Sequence, residues 1–272
     1  EGTAKVASHL ADTGHDGVVV LGTTGESPTV SPDEAGRVLR AVIDAVGDRL
    51  TVVAGVGTNN TAHSVELAEQ AFKVGADGAL VVTPYYNKPT QEGLAAHFEA
   101  VARATELPIM LYDIPGRTAT KIAEDTYKRL AENQRIVAVK DAVGDLFQGV
   151  RIMADTGLAF YSGDDVMNLG WLTHGGCGVV SVAGHVAGNE YAAMVRAVEA
   201  GDLAEALAIY RRLVPVVDAV MNRAPGVMMA KAGLQLLGVV ENRNVRLPLV
   251  PAGDDLVAHL RTELVNAGLL EN

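Results

Sequence analysis

The sequence predicts an α/β protein, a (β/α)8 TIM barrel in which short buried strands alternate with amphipathic helices. Three observations carry that expectation. Seven short runs rich in β-branched residues recur at Gly17–Leu21, Thr51–Val56, Ala79–Thr83, Ile109–Ile114, Ile136–Asp141, Ala159–Gly163 and Val179–Ala183. Near-continuous apolar runs suit strands buried on both faces, as in a parallel sheet, and their starts fall roughly 20–35 residues apart, the size of a βαβ unit. The length, 272 residues, is close to the roughly 250 of such a barrel. An open doubly wound sheet usually carries a Gly-x-Gly-x-x-Gly turn after its first strand, and none follows Leu21. Since only seven runs are visible, a first strand is expected upstream of Glu1. A true seven-strand arrangement, with open edges needing cover, is the alternative.

The intervening stretches have helical period. Glu1–Thr13 places Val6 and Leu10 on one face and is followed by Gly14. Pro32–Val46 follows a Ser31 cap, has proline in its first turn, and spaces Val38, Leu39, Val42, Ile43 and Val46 along one stripe. Thr61–Val74 and Gln91–Ala104 repeat the plan. After the last strand, four helices are expected in succession, Asn189–Ala200, Leu203–Asn222, Val227–Leu237 and Asp254–Ala267. The last three exceed what closing a barrel requires. The expected organisation is therefore a catalytic barrel over 1–200 and a C-terminal helical appendage over 201–272. Pro215 is expected to kink the long helix, because it removes a backbone donor.

Composition narrows the function. Lys+Arg 22 against Asp+Glu 33 leaves a net charge of −11, which argues against nucleic-acid or anionic-membrane partners. The lone Cys177 cannot form an intrachain disulfide and reads as small packing beside a strand. No apolar run reaches the length of about 18 residues that spans a bilayer, and no signal-peptide pattern opens the chain. A cytoplasmic location is the expectation. The seven histidines show no metal spacing, and no Gly-x-Ser-x-Gly elbow is present, so metal and serine hydrolysis drop out.

In a barrel, strand ends and the loops after them carry function. Of seven lysines, only Lys140 closes an apolar strand, in Ile136-Val-Ala-Val-Lys-Asp141. A buried lysine loses part of its affinity for a proton and can attack a carbonyl to form a Schiff base; the alternative is a strand-end lysine snorkelling to solvent. Gly22-Thr-Thr-Gly-Glu-Ser27 follows the first run and could aim backbone amides at an anion, or serve simply as a loop. It lacks the Gly-Lys-Ser/Thr ending of a phosphate-binding loop. Thr83-Pro-Tyr-Tyr-Asn87 and Leu111-Tyr-Asp-Ile-Pro-Gly-Arg117 place tyrosines at strand ends in a chain with only seven. Such phenols can shuttle protons, or cap the barrel or an interface. Arg117 would suit a carboxylate, or is one of 15 surface arginines.

Taken together and in order, these segments resemble the dihydrodipicolinate synthase family, pyruvate-dependent class I aldolases of the N-acetylneuraminate lyase superfamily. The matching segments are Gly22-Thr-Thr-Gly-Glu-Ser27, Val82-Thr-Pro-Tyr-Tyr-Asn-Lys-Pro89, Leu111-Tyr-Asp-Ile-Pro-Gly-Arg-Thr118, Val139-Lys-Asp141 and Tyr161-Ser-Gly-Asp-Asp165. The resemblance covers essentially the whole chain. It implies a lyase that condenses pyruvate with L-aspartate 4-semialdehyde to 4-hydroxy-tetrahydrodipicolinate, opening lysine and diaminopimelate biosynthesis.

It also implies roles. Lys140 would form the imine with pyruvate, Tyr112 would act as its acid/base, and Thr23 and Tyr86 would extend a proton relay. Tyr86 would reach into the adjacent subunit of a homotetramer built as a dimer of dimers. Thr23 and Thr24 would hold the pyruvate carboxylate, Arg117 the carboxylate of the semialdehyde, and Gly163 and Val180 would line the pocket. Neither metal nor organic cofactor is implied. Other pyruvate aldolases of the superfamily, N-acetylneuraminate lyase or keto-sugar-acid aldolases, would share Lys140 and Tyr112; Arg117 favours a second substrate with a carboxylate. A catalytically silent member would have no need of Lys140, Tyr112 and Thr23 together.

One departure concerns regulation. Strongly lysine-inhibited members carry histidines shortly after the Gly-Glu-Ser turn and an acidic residue early on the third helix. Here the turn continues Pro28-Thr-Val-Ser-Pro-Asp-Glu34, and His63 stands where the acid would be, although Asn59 and Tyr85 match. Weak or absent lysine feedback is expected.

Overall fold

A computed structural model describes residues 1–271. Its centre is one parallel sheet of seven strands in strict chain order: β1 (Gly17–Val20), β2 (Thr51–Gly55), β3 (Gly78–Val82), β4 (Ile109–Asp113), β5 (Ile136–Asp141), β6 (Ala159–Ser162) and β7 (Gly178–Val179). All six adjacent pairs are parallel, so each connection must cross over the sheet, and helices make the crossings. Helix α1 (Gly2–Asp12) precedes the sheet. The crossings carry α2 (Pro32–Val46), α3 (Thr61–Val74), α4 (Gln91–Ala104), the single turn α5 (Pro115–Thr118) with α6 (Glu124–Ala131), α7 (Leu146–Thr156) and α8 (Asn168–Thr173). The chain closes with α9 (Gly184–Glu199), α10 (Leu203–Met221), α11 (Gly226–Leu236) and α12 (Asp254–Asn266).

Local chemistry explains several of these boundaries. Helix α2 begins with a capping box, in which the Ser31 side chain accepts from the Glu34 amide and the Glu34 carboxylate accepts from the Ser31 amide. This satisfies two amides that a helix start leaves orphaned. Asn60 caps α3 in the same spirit, and Thr90 caps α4. Between sheet and helices lies a core that includes Val46, Val52, Ala54, Phe98, Ile109, Leu111, Val139 and Phe160. A second cluster, with Met194, Leu213, Val216, Met229 and Leu260, binds α9–α12 together.

The sheet has seven strands among the described residues, as many as the sequence shows, with β1 and β7 at its two ends. Four local expectations need correction. The run Val179–Ala183 is not a full strand: pairing ends at Val179. The amides of Val182 and Ala183 donate to the buried Asp165 carboxylate at 2.9 Å each, which bends the backbone out of the sheet. The long helix α10 runs on through Pro215, and the irregular backbone falls instead at Ala187 within α9, φ −137° and ψ 33°. The expected start at Asn189 marks the regular part beyond that break. Cys177, read as packing, is exposed.

Candidate active site

Parallel strands present all their C-terminal ends on one rim, and Lys140, Tyr112, Gly163 and the turn carrying Thr23 and Thr24 lie there. Lys140 and Tyr112 are register partners on β5 and β4. The Lys140 Nζ stands 4.2 Å from the centre of the Tyr112 ring. Burial favours the neutral amine and outweighs the opposing charge of Asp165; with a further push from the Arg117 cation, it takes the Lys140 pKa down to about 8. Burial also takes Tyr112 up to about 12, with Asp164 pushing the same way and Arg117 and the Thr23 hydroxyl pulling back. The phenol therefore holds its proton at neutral pH while the amine beside it is poised to lose one.

The supports come from neighbouring strands. Both the amide and the hydroxyl of buried Thr83 donate to the Tyr112 carbonyl, at 3.0 and 3.1 Å. Gly163, just past β6, donates its amide to the Asp141 carbonyl at 2.6 Å. It also lies flat against the lysine stem, since a Cβ there would be 2.7 Å from Lys140 Cγ. Val180 is half-buried and donates its amide to Ser162 at 2.7 Å.

The turn after β1 is tightly wound. Leu21 and Glu26 both take positive φ, 62° and 57°, and the amides of Gly25 and Glu26 donate to Gly22 and Thr23. No carbonyl among the described residues accepts from the amides of Thr23 or Thr24, which leaves them able to hold an anion. The turn is held from far along the chain. The Glu26 carboxylate pairs with Lys231 at 2.5 Å and accepts from the Arg246 amide at 2.7 Å. Arg117 is exposed on α5, close enough for its charge to be felt at both Tyr112 and Lys140.

Tyr86 is the expected residue that the chain does not bring in. It is 88 % exposed and sits at φ 76°, a left-handed conformation that costs a non-glycine residue about 1 kcal/mol or more. The sequence reading missed three buried carboxylates behind the rim, Asp113, Asp141 and Asp165. A signal was available for each: Asp113 directly follows Tyr112, Asp141 directly follows Lys140, and Asp165 is the second of two acids after Gly163. A surface depression lined by Glu106, Pro108, Glu132 and Arg135 lies at the opposite end of β4 and β5 and takes no part in the site.

Comparison with known proteins decides the family. Residues 1–267 match the model of the dihydrodipicolinate synthetase family. The chain belongs to that family. It is 58 % identical to the 4-hydroxy-tetrahydrodipicolinate synthase of Kineococcus radiotolerans over 99 % of this chain and 87 % of that protein. It is 55 % identical to that of Acidothermus cellulolyticus, over 100 % and 87 %. Among solved structures, dihydrodipicolinate synthase from Cyanidioschyzon merolae with lysine bound superposes with a TM-score of 0.94 at 43 % identity, covering 99 % of this chain and 92 % of that one. The enzyme from Thermotoga maritima gives the same TM-score at 36 % identity, over 99 % and 92 %. A fold shared across the dihydrodipicolinate synthetase family therefore carries this chain's strand-end residues.

Proposed function

We propose that Lys140 carries, through a Schiff base, the reaction that family and relatives assign to this chain: condensation of pyruvate with L-aspartate 4-semialdehyde to 4-hydroxy-tetrahydrodipicolinate. The observation that carries this reading is the Lys140 amine, depressed to about 8 by burial, 4.2 Å from the ring of a buried tyrosine on the adjacent strand. At pH 7 such an amine is neutral in about one molecule in ten, against fewer than one in a thousand for a free lysine. The amine adds to the pyruvate ketone and water leaves, giving an imine whose nitrogen withdraws electrons. The methyl group then loses a proton, and the enamine carbon attacks the aldehyde carbon, whose oxygen takes up a proton. The amino group of the new chain displaces Lys140 by transimination and the ring closes.

Tyr112 handles these protons, with Thr23 beside it. Thr24 and the free amides of the turn take the pyruvate carboxylate, Arg117 takes that of the semialdehyde, and Gly163 and Val180 line the imine pocket. The imine nitrogen is the electron sink, so the scheme calls for neither metal nor organic cofactor. Residues 1–200 supply the barrel and 201–272 the helical region packed on it. In this reading the exposed Tyr86 completes the relay of a neighbouring subunit in a homotetramer, and its exposure and strained backbone support that role. We place the enzyme in the cytoplasm, on the strength of its lone cysteine and its biosynthetic relatives.

The test is borohydride reduction in the presence of pyruvate, followed by peptide mass mapping. A pyruvyl adduct on Lys140 is the expected result. Folded protein with no adduct on any lysine overturns the mechanism.

A further inference from the structure

Directly behind the reacting pair lies a second pair that the chemistry above does not use. Asp113 follows Tyr112 and Asp141 follows Lys140, and the two aspartates are themselves register partners. Side chains alternate along a strand, so where Tyr112 and Lys140 face one side of the sheet, the aspartates face the other, toward the helices. Both are buried, Asp113 completely. The Asp141 Oδ1 accepts from the amides of Val143 and Gly144, at 3.1 and 3.0 Å, and so shapes the turn after Lys140. The Asp113 Oδ2 accepts from the Tyr127 hydroxyl on α6 and from the Ile122 amide, each at 3.0 Å. Its Oδ1 is buried with no partner among the described residues.

The Ile122 bond closes a loop of nine residues' span, and that loop carries Arg117. Within it, buried Thr118 donates to the carbonyls of Ile114 and Thr120, at 3.1 and 2.9 Å. Gln91 donates to the Lys121 carbonyl at 2.8 Å. We propose that Asp113 is a positioning residue for the second substrate: its carboxyl latches Ile122, shuts the loop over 113–122, and thereby fixes Arg117 at the rim beside Lys140. The latch works with its carboxyl neutral. A buried oxygen without a partner, facing a second carboxyl one strand away, is poorly suited to a full negative charge. An asparagine could therefore replace the acid, because its carbonyl accepts the same two bonds and its amide group stands where the protonated oxygen would be.

This inference rests on the reading of Arg117 as the holder of the semialdehyde carboxylate, and a double-mutant cycle separates the two. Steady-state constants for both substrates are measured on Asp113→Ala, Asp113→Asn, Arg117→Ala and the double variant Asp113→Ala/Arg117→Ala. Pyruvate trapping on Lys140 is followed in each. The expected result is a rise of about tenfold in the semialdehyde KM for Asp113→Ala, with pyruvate KM and trapping within about twofold of the parent. Asp113→Asn restores the parent value, and adding Asp113→Ala to Arg117→Ala raises KM no further. If Arg117→Ala leaves the semialdehyde KM unchanged, the reading of Arg117 fails and the latch has nothing to position. If Arg117→Ala raises it but Asp113→Ala does not, or if both substrates weaken equally, the latch is overturned. Should Asp113→Ala fail to fold, Asp113→Asn and Asp113→Ser carry the same comparison, and an Asp113→Asn protein with a raised semialdehyde KM overturns the proposal.

Discussion

Gly163 determines where Lys140 can lie. A Cβ at position 163 would stand 2.7 Å from Lys140 Cγ, 3.0 Å from its Cε and 2.9 Å from the Asp141 carbonyl. Two of these contacts are with the Lys140 side chain and the third is with backbone, so the lysine would be the part to move. We predict that Gly163→Ala folds with a loss of about 1–3 kcal/mol, the usual range for overpacking. It should also lose at least about tenfold in the rate of pyruvate trapping, because a displaced nucleophile loses its near-attack geometry. Stopped reduction with borohydride at timed intervals measures it; parent-like trapping would show that the lysine tolerates the shift.

The depressed pKa of Lys140 has a pH signature. Its folded value, about 8 against 10.5, means that below about pH 8 the native state must charge an amine it has buried. The unfolded chain binds more protons between pH 8 and 10.5, so this group makes stability rise with pH across that window. Imine formation should rise with pH along the same ionisation and level off above about 8. A trapping-rate profile from pH 6 to 10 checks this, and a flat profile would mean that another group limits the step.

Asp113 carries the opposite sign. Burial, reinforced by Asp141 and opposed by Ile122, Tyr127 and Lys121, raises it to about 7 from 3.8. Between pH 4 and 7 the native state holds a proton that the unfolded state has released, so this group makes stability fall as pH rises through that window. Asp113→Asn escapes that loss. Its melting temperature should exceed the parent's at pH 8 and match it near pH 4, with a gain of at most about 4 kcal/mol. Thermal scans at the two pH values decide it.

Glu26 gives a prediction about pyruvate binding. Burial pushes its pKa up, but the Arg246 amide and the Lys231 ammonium more than offset this, and the net shift is downward. Removing the carboxylate leaves Lys231 without its closest partner and frees the Thr23–Thr24 turn. Glu26→Ala should therefore raise the pyruvate KM severalfold and cost about 1–3 kcal/mol in stability. Since the folded pKa is depressed, the stabilisation is present above the ordinary carboxylate range and is lost only as pH falls below it through the folded value, so parent and variant should draw together in acid. Denaturant titrations from neutral pH down to well below the ordinary carboxylate range would reveal the convergence or its absence.

Feedback by lysine should be weak. The turn after Glu26 contains no histidine, and His63 pairs with Glu66 of its own helix at 3.3 Å. Turnover in millimolar lysine should stay within about twofold of the uninhibited rate. Strong inhibition at that concentration would show that Asn59 and Tyr85 suffice for recognition.

The strand-end placement of the candidate residues was legible because parallel sheets bury apolar runs and release polar residues only at their ends. Lys140 and Tyr112 stand out for that reason, and five of seven strand starts were read to the residue. The last strand was misread because Val180 and Val182 look like strand residues. What ends the strand is a carboxylate, Asp165, 17 and 18 positions before the two amides it holds. Asp113 and Asp141 were read inside their strand runs yet given no role, since an acid at a strand end is ordinarily exposed, and only the fold shows these buried. Tyr86 could be named but not brought to the site, since it stands exposed, away from the described residues of its own chain.

The bonds from Glu26 to Lys231 and Arg246 span 205 and 220 positions of sequence. During synthesis, the turn that would bind pyruvate is made early, yet two of its anchors arrive only with the eleventh helix and the loop beyond it. Long-range closure of this kind is slow to form. Until those residues fold in, the turn lacks both anchors, so a turn ordered enough to bind an anion would be completed late in folding rather than by the sheet alone.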